Sequence, residues 1–347
     1  MKKFIFFRND RLGDFLILTS IIKSIKKSFK DSHITVLCSS LNYNLVKKYK
    51  IIDKVFVYNK KVSFLKKISL FRKISNNSYY ASFAVDGKSF SNICNFYIKA
   101  KYKLGLVYKY KLFNFWFSKP NFIYNYFIFD KLEFFTSRRD LDKIEHLPSK
   151  LSNLGNFFKL KLKPTDPYYF EIKANEEFDF KTYYLKNIKK RYILIHLDEK
   201  WNDISKIKNE FLSNLINLQK EINIKIVITS FNNKFKYFQN FKKNFLKLKL
   251  NKKFILIENS NLTFFERLIK HSVCSISCHS GFLVQIAGAN SAKLIDIISK
   301  NDYKWYSCWK PKNTDHKFIF KSDYKKEFSI NKIFKNLSSQ IIRIKNS

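Results

Sequence analysis

No stretch of the chain reaches the ~18 uncharged apolar residues that a membrane-spanning helix requires, so an integral membrane protein is not expected. The apolar run after Lys2 and Lys3 ends at Arg8, short of the roughly 7–15 apolar residues of an export signal. The expected location is therefore cytoplasmic, with a peripheral place on the inner face of the inner membrane left open. Cysteine is confined to Cys38, Cys94, Cys274, Cys278 and Cys308. An odd number in mostly apolar contexts argues against a disulfide framework and for free thiols in a reducing compartment. Glycine and proline are scarce as well, 6 and 5 in 347 residues, against abundant Lys, Asn, Ile, Phe and Tyr. Such a pattern reads as a coding bias as much as a structural choice, so composition by itself carries little about function.

Acidic residues are also few, 27 against 67 Lys and Arg, which gives a formal charge of +40. That excess points to anionic partners. The lysines run along the whole length, however, and no zinc-finger, RNA-recognition or basic-zipper pattern gathers them into a module. A specific nucleic-acid partner is thus not expected, whereas anionic lipid head groups and polyanionic substrates suit the charge. The length suits two domains of roughly 150 residues each.

What the chain does contain is a repeated strand-then-helix pattern. Residues 3–7 form an apolar run of strand length, residues 8–13 break it, and from Asp14 onward apolar residues recur at helical spacing. Strands are expected at 33–38, 54–58, 81–85 and 103–107, with helices at 43–49 and 64–74. Residues 108–129 show no period, and 130–158 reads as helical. Pro164 and Pro167 mark a linker in 160–169. The pattern then restarts, with strands at 192–197, 225–229, 254–257, 273–278 and 292–297, and helices at 207–221, 264–271, 282–289 and 330–345. Alternation of this kind predicts parallel sheets with right-handed crossovers. The expected division is residues 1–165 and 170–329 as two doubly wound, Rossmann-like α/β domains facing a central cleft, followed by a C-terminal helix at 330–347.

Four segments, in chain order, resemble glycosyltransferase family nine, the heptosyltransferase family, whose fold is of the GT-B type. They are RLGD (11–14) after the first strand, EHLPSKLSNLG (145–155), HLDEKW (196–201) and HSGFLVQIAGA (279–289). The last departs from the family pattern, in which Asp opens the loop and His follows five residues later. Here those positions hold His279 and Val284, and the Gly-rich turn after another strand is reduced to Thr229-Ser230-Phe231.

The resemblance implies an inverting, metal-independent transferase moving heptose or a related sugar from a nucleotide-sugar donor to a lipopolysaccharide or other lipid-linked surface glycan in a bacterial cytoplasm. No cofactor is implied. Asp14 takes the role of general base, since a carboxylate at the cleft can accept the proton of an acceptor hydroxyl. The alternative is an ordinary Asp that caps the following helix. Arg11, Gly13 and His146 fall on the acceptor side. Arg11 either holds an acceptor phosphate or pairs with Asp10, and His146 has an equal claim to a surface or interdomain role.

Lys200, His279, Ser280 and Gly281 fall on the donor side, where cations and helix-terminal amides would meet the charge of a leaving diphosphate. Asp140 and Asp142 form a DxD pattern, but in the charged setting TSRRDLDKIEH they read as a solvated face and not as metal ligands. Cys274, Cys278 and His279 lack zinc spacing and read as core. Two rival functions remain: a family-like transferase drifted to another nucleotide sugar, and a non-catalytic basic protein that binds nucleic acid or anionic lipid.

Overall fold

The run KFIFFR becomes β1 (Lys3–Arg8), and Phe4 to Phe7 are buried on both faces, as an unbroken apolar strand in a parallel sheet must be. The computed structural model describes residues 1–112, 115–118, 128–136, 145–160, 174–188, 191–198, 201, 208–230, 236–247, 253–258, 261–312, 314–321 and 330–346. Its described residues form two compact units. One comprises Met1–Glu171 with Lys304–Lys310, the other Ile172–Tyr303 with Pro311–Ser347.

In unit 1, β1 leads into α1 (Leu12–Ser28), then β2 (His33–Ser39), α2 (Tyr43–Val46), β3 (Lys54–Tyr58) and α3 (Phe64–Ser75). After these come β4 (Ser78–Ala84), α4 (Ser89–Tyr97), β5 (Lys99–Leu112), β6 (Phe115–Ser118), β7 (Lys131–Thr136) and α5 (Leu147–Asn156). The sheet order is β3-β2-β1-β4-β5-β6, with β7 also pairing β5. All described pairings are parallel except β5 with β6. α1 buries Phe15, Leu16, Leu18, Ile21, Ile22 and Ile25 on the face toward the core, each contributing roughly 1.5–3 kcal/mol when fully removed from water.

Unit 2 repeats the design. It carries α6 (Ala174–Tyr183), which runs on as one π-helical turn (Tyr184–Ile188), then β8 (Tyr192–His196), α7 (Lys208–Ile222), β9 (Lys225–Ser230), α8 (Lys236–Lys247) and β10 (Phe254–Glu258). There follow α9 (Leu262–His271), β11 (Ser275–Ser277), α10 (Gly281–Ala289), β12 (Leu294–Ile298), α11 (Lys300–Ser307), whose residues from Lys304 onward belong to unit 1, β13 (His316–Phe320) and α12 (Ile330–Asn346). Its sheet runs β10-β9-β8-β11-β12-β13, parallel throughout. Cys274 and Cys278 lie within its apolar core, and all five cysteines are buried free thiols. Burial pushes the thiols of Cys38, Cys94 and Cys274 up to about 12, so they stay protonated and unreactive. Among the described residues no helix is long and apolar enough to cross a membrane.

The strand-helix alternation and the α/β class agree with the sequence reading, and several element limits do not. Residues 131–136, expected to be helical, form β7 because they add to the sheet beside β5, with Leu104 opposite Lys131 and Lys109 opposite Thr136. The strand expected at 103–107 extends over Lys99–Leu112 for the same reason, since it pairs with three partners. The helix expected at 43–49 shortens to Tyr43–Val46. Helices α4, α6, α8 and α11 and strands β6 and β13 had no counterpart in the sequence reading.

Candidate active site

In each sheet the strand order reverses at one point, between β1 and β4 in unit 1 and between β8 and β11 in unit 2. Connections leave toward opposite faces there, opening a crevice at the carboxyl ends of the strands where ligands of doubly wound folds bind. Both points carry polar residues that an apolar core would reject.

At the first, Arg8 ends β1 and is wholly buried. Its Nε donates to the Asp14 carbonyl at 3.0 Å and lies 3.2 Å from Asp10 Oδ1, and its Nη1 donates to the Val85 carbonyl at the end of β4. Nη2 stands 3.7 Å from Asp14 Oδ1. Asp86, just past β4, accepts from Asn9 N at 3.2 Å and Ser91 Oγ at 2.6 Å with one oxygen, and from Lys88 N at 3.0 Å with the other. The Lys88 ammonium donates to Asn9 O at 2.7 Å and Asn9 Oδ1 at 2.8 Å, which ties the two loops together. Gly87 makes this possible: its φ of +63° suits glycine, and a Cβ there would enter the ring of Tyr108.

Three carboxylates thus share two cations. Asp86 is buried with both oxygens engaged, the Asp10 side chain is 15% exposed, and Asp14 is 37% exposed. Of the three, Asp14 is the most exposed. It occupies the third position of α1, and its Oδ2 accepts from Arg11 N at 3.3 Å. Capping and base roles are therefore compatible, because the capping bond uses one oxygen and leaves the carboxylate at the surface. Arg11 is exposed, and of its two alternatives the pairing with Asp10 is not made, since Asp10 faces Arg8. Gly13 lies in the same first turn.

Burial pushes Asp10 up to about 8, with Asp14 and Asp86 adding to the shift and Arg8 and Lys88 opposing it. Burial likewise raises Asp86, against the hydrogen bonds of Ser91, Lys88 and Asn9. For Arg8 desolvation works downward, but Asp10, Asp14, Tyr108 and Asp86 outweigh it and the net shift is upward. Asp10 thus gives up its proton at a higher pH in the folded protein than in the unfolded chain, whose ordinary carboxyl lies near 3.8. Asp10 therefore favours folding fully at low pH, and that contribution fades as pH rises from about 4 to about 8. We expect Asp10→Asn to remove a downward stability slope of at most about 1.4 kcal/mol per pH unit across this window, read from thermal melts of both proteins over a pH series. Parallel melting curves in both would contradict the assignment.

His146 precedes α5 and has both ring nitrogens engaged inside unit 1, Nδ1 with Ser149 Oγ and Nε2 with the Lys310 carbonyl, each at 2.9 Å. A carbonyl only accepts, so Nε2 carries the proton. Together with Leu147 N donating to Cys308 O at 2.6 Å, this fastens the 304–310 segment. The ring thereby joins the start of α5 to the 304–310 segment.

At the second reversal, His196 ends β8, its Nδ1 3.1 Å from Thr229 Oγ1, and burial pulls it down to about 3, so it stays neutral. Trp201 is buried and donates from Nε1 to the His196 carbonyl at 2.7 Å, closing the loop after β8. Lys200 lies outside the described residues, as do Asp140 and Asp142. After β11, His279 takes a left-handed conformation with φ +57°, uncommon for a non-glycine residue. The buried Asp296 of β12 supports it: Oδ1 accepts from His279 N at 2.7 Å, and Oδ2 lies 3.8 Å from Nδ1. Ser280 N donates to Ser277 Oγ at 2.8 Å. The amides of His279 and Ser280 are consequently committed within the fold, and the amides available to an anion begin at Gly281, the first residue of α10. Val284 is buried and apolar.

Sequence reasoning named Asp14 but missed Arg8, Asp10, Asp86, Lys88 and Asp296. A signal existed for one of them, the Asp86-Gly87 pair just after a strand, where a carboxylate and a left-handed turn mark a carboxyl-edge loop.

No protein-family model matches the chain, and no curated protein matches it in sequence. Solved structures do. The glycosyl transferase family 9 structure from Veillonella parvula aligns at TM-score 0.66 and 12% identity, over 100% of this chain and 98% of that one. E. coli heptosyltransferase WaaC with ADP aligns at 0.69 and 11%, over 98% and 99%. UDP-GlcNAc 2-epimerase from Methanocaldococcus jannaschii aligns at 0.58 and 13%, over 98% and 92%. Across its full length, the chain has the GT-B fold of the family 9 glycosyltransferase and heptosyltransferase structures.

Proposed function

We propose that the protein is a glycosyltransferase of the family 9 kind, inverting and metal-independent, which moves a sugar from a nucleotide-sugar donor to a lipid-linked surface glycan. The observation that carries this reading is the surface carboxylate of Asp14, held by Arg8 at the switch point of unit 1, in a chain whose fold follows the heptosyltransferases end to end. In the reaction, Asp14 accepts the proton of an acceptor hydroxyl as that oxygen bonds to the anomeric carbon. The bond from that carbon to the diphosphate breaks on the opposite side, and the nucleoside diphosphate leaves with its electron pair. Lys200 and the first-turn amides of α10 from Gly281 onward are assigned to the charge that develops on it. Arg11 and Gly13 are assigned to the acceptor.

The same reading bears on the donor. A buried valine at position 284 offers no hydrogen bond, and His279 is turned toward Asp296, so contacts that an acid and a histidine would make in the family pattern are absent. We infer that ADP-heptose is not the preferred donor. A melting screen over ADP, GDP, UDP and CDP and their sugars tests both statements. A ligand at ~100 times its dissociation constant adds about 2.7 kcal/mol of stability. We expect one nucleoside diphosphate to raise the melting temperature and its sugar conjugate to do so more strongly than ADP-heptose. No shift with any of them would contradict the transferase reading, and a largest shift with ADP-heptose would contradict the donor inference alone.

A further inference from the structure

Large apolar side chains stand in solvent on one layer of unit 1. Phe64 and Leu65, at the start of α3, are 75% and 76% exposed, and on the neighbouring α4 Ile93 is 52% and Tyr97 63% exposed. α3 packs beside α4, Phe71 meets Tyr97 edge to face at 5.9 Å, and Phe96 meets Tyr97 at 4.9 Å. These side chains therefore belong to one outer face and are not scattered exposures, which would need no explanation.

The polar residues of this layer have a single sign. Residues 54–103 hold 11 Lys and Arg and one acid, Asp86, which is buried at the switch point. Lys60, Lys61, Lys66, Arg72, Lys73 and Lys99 are all exposed. A protein partner of ordinary composition would find half of its charges unmatched here. A surface that takes bulky apolar groups into its interior and is uniformly negative at its rim matches both features at once. α3 follows β3, so Phe64 and Leu65 begin at the carboxyl-edge end of the sheet, the same end at which Asp14 lies.

We propose that the α3–α4 face docks on an anionic lipid bilayer, with Phe64 and Leu65 entering the acyl boundary and the lysines lying among the head groups. The proposal deepens the transferase reading, since a lipid-linked acceptor would be met at that surface, but its test needs neither donor nor acceptor.

The test is cosedimentation of the full chain with vesicles of phosphatidylglycerol and phosphatidylcholine, against phosphatidylcholine alone. Wild type should bind the mixed vesicles preferentially and lose part of that binding at high salt. Phe64→Ser/Leu65→Ser should lower the vesicle affinity by roughly tenfold or more, while its melting temperature stays that of wild type because both side chains are already in water. Lys332→Gln/Lys335→Gln, on exposed α12 positions of unit 2, removes as many basic residues as the first variant removes apolar ones and should bind nearly as wild type. Three results would overturn the proposal: equal binding to both kinds of vesicle, equal loss in both double variants, or light scattering that shows a wild-type dimer broken by the Phe64 and Leu65 substitutions. Retained nucleotide binding with failed vesicle binding would sink this docking face and leave the transferase reading standing.

Discussion

Replacing Asp14 with Asn should lower sugar transfer by ~10²–10⁴ while leaving nucleoside diphosphate affinity nearly unchanged, because a general base contributes about that much and the donor is assigned to unit 2. Asn keeps the shape of the side chain and one oxygen. The capping bond from Arg11 N can therefore survive, and with it the start of α1. What is lost is the ability to accept a proton. The capping alternative predicts something different: normal turnover and a stability change within the ~1 kcal/mol of a lost cap. Turnover and melting temperature, measured on the same preparation, separate the two.

Arg8→Met should be the most destabilising single change at the site, on the order of 3–5 kcal/mol. The guanidinium is wholly buried and bonds two backbone carbonyls, of Asp14 and Val85, from two different loops. Methionine fills much of the volume but leaves those carbonyls and the Asp10 and Asp14 side chains without the guanidinium. Measured above pH 8, where Asp10 can ionise beside Arg8, a double variant, Arg8→Met/Asp10→Asn, should recover part of the loss, because one of the abandoned acids is then neutral. Coupling energies of roughly 0.5–3 kcal/mol are usual for such neighbours. Hydrogen exchange of the β1 and β4 amides reads unit 1 separately from unit 2, whose protection should not change. Additive losses in the double variant would show that Arg8 and Asp10 do not share charge as their 3.2 Å separation implies.

How far the sequence carried this picture follows from how local each signal was. The buried strand β1, the helical period of α1 and the RLGD segment lie within 28 consecutive residues and were readable, and so was Asp14 at the first turn. Arg8 was not. One arginine among 67 basic residues has no local mark, and its burial is decided by Val85 and Asp86, which lie more than 70 residues away. Strand β7 was read as helix because KLEFFT has no strict alternation and sits before a charged stretch; its conformation is fixed by parallel pairing with β5. Helix α8 was missed although a local signal was there, since Phe238, Phe241 and Phe245 recur at helical spacing and are all buried. Nothing in the sequence announced that Lys304–Lys310 joins unit 1, because that depends on His146 and Leu147 meeting the Lys310 and Cys308 carbonyls.

Asp296 shows the same limit from the other side. The departure at His279 was visible, but the acid that supports it stands on the next strand, 17 residues on, and its role appears only when β11 and β12 are paired.

The most direct test follows both products at once. The full chain is incubated with the nucleotide sugar selected by the melting screen and a lipid-linked glycan acceptor, and the released nucleoside diphosphate and the mass of the acceptor are measured together. The account predicts diphosphate release in step with the gain of one sugar on the acceptor, inverted at its anomeric carbon, with both falling together in Asp14→Asn. A donor that is hydrolysed or epimerised at a sugar carbon while the acceptor mass stays unchanged would contradict it.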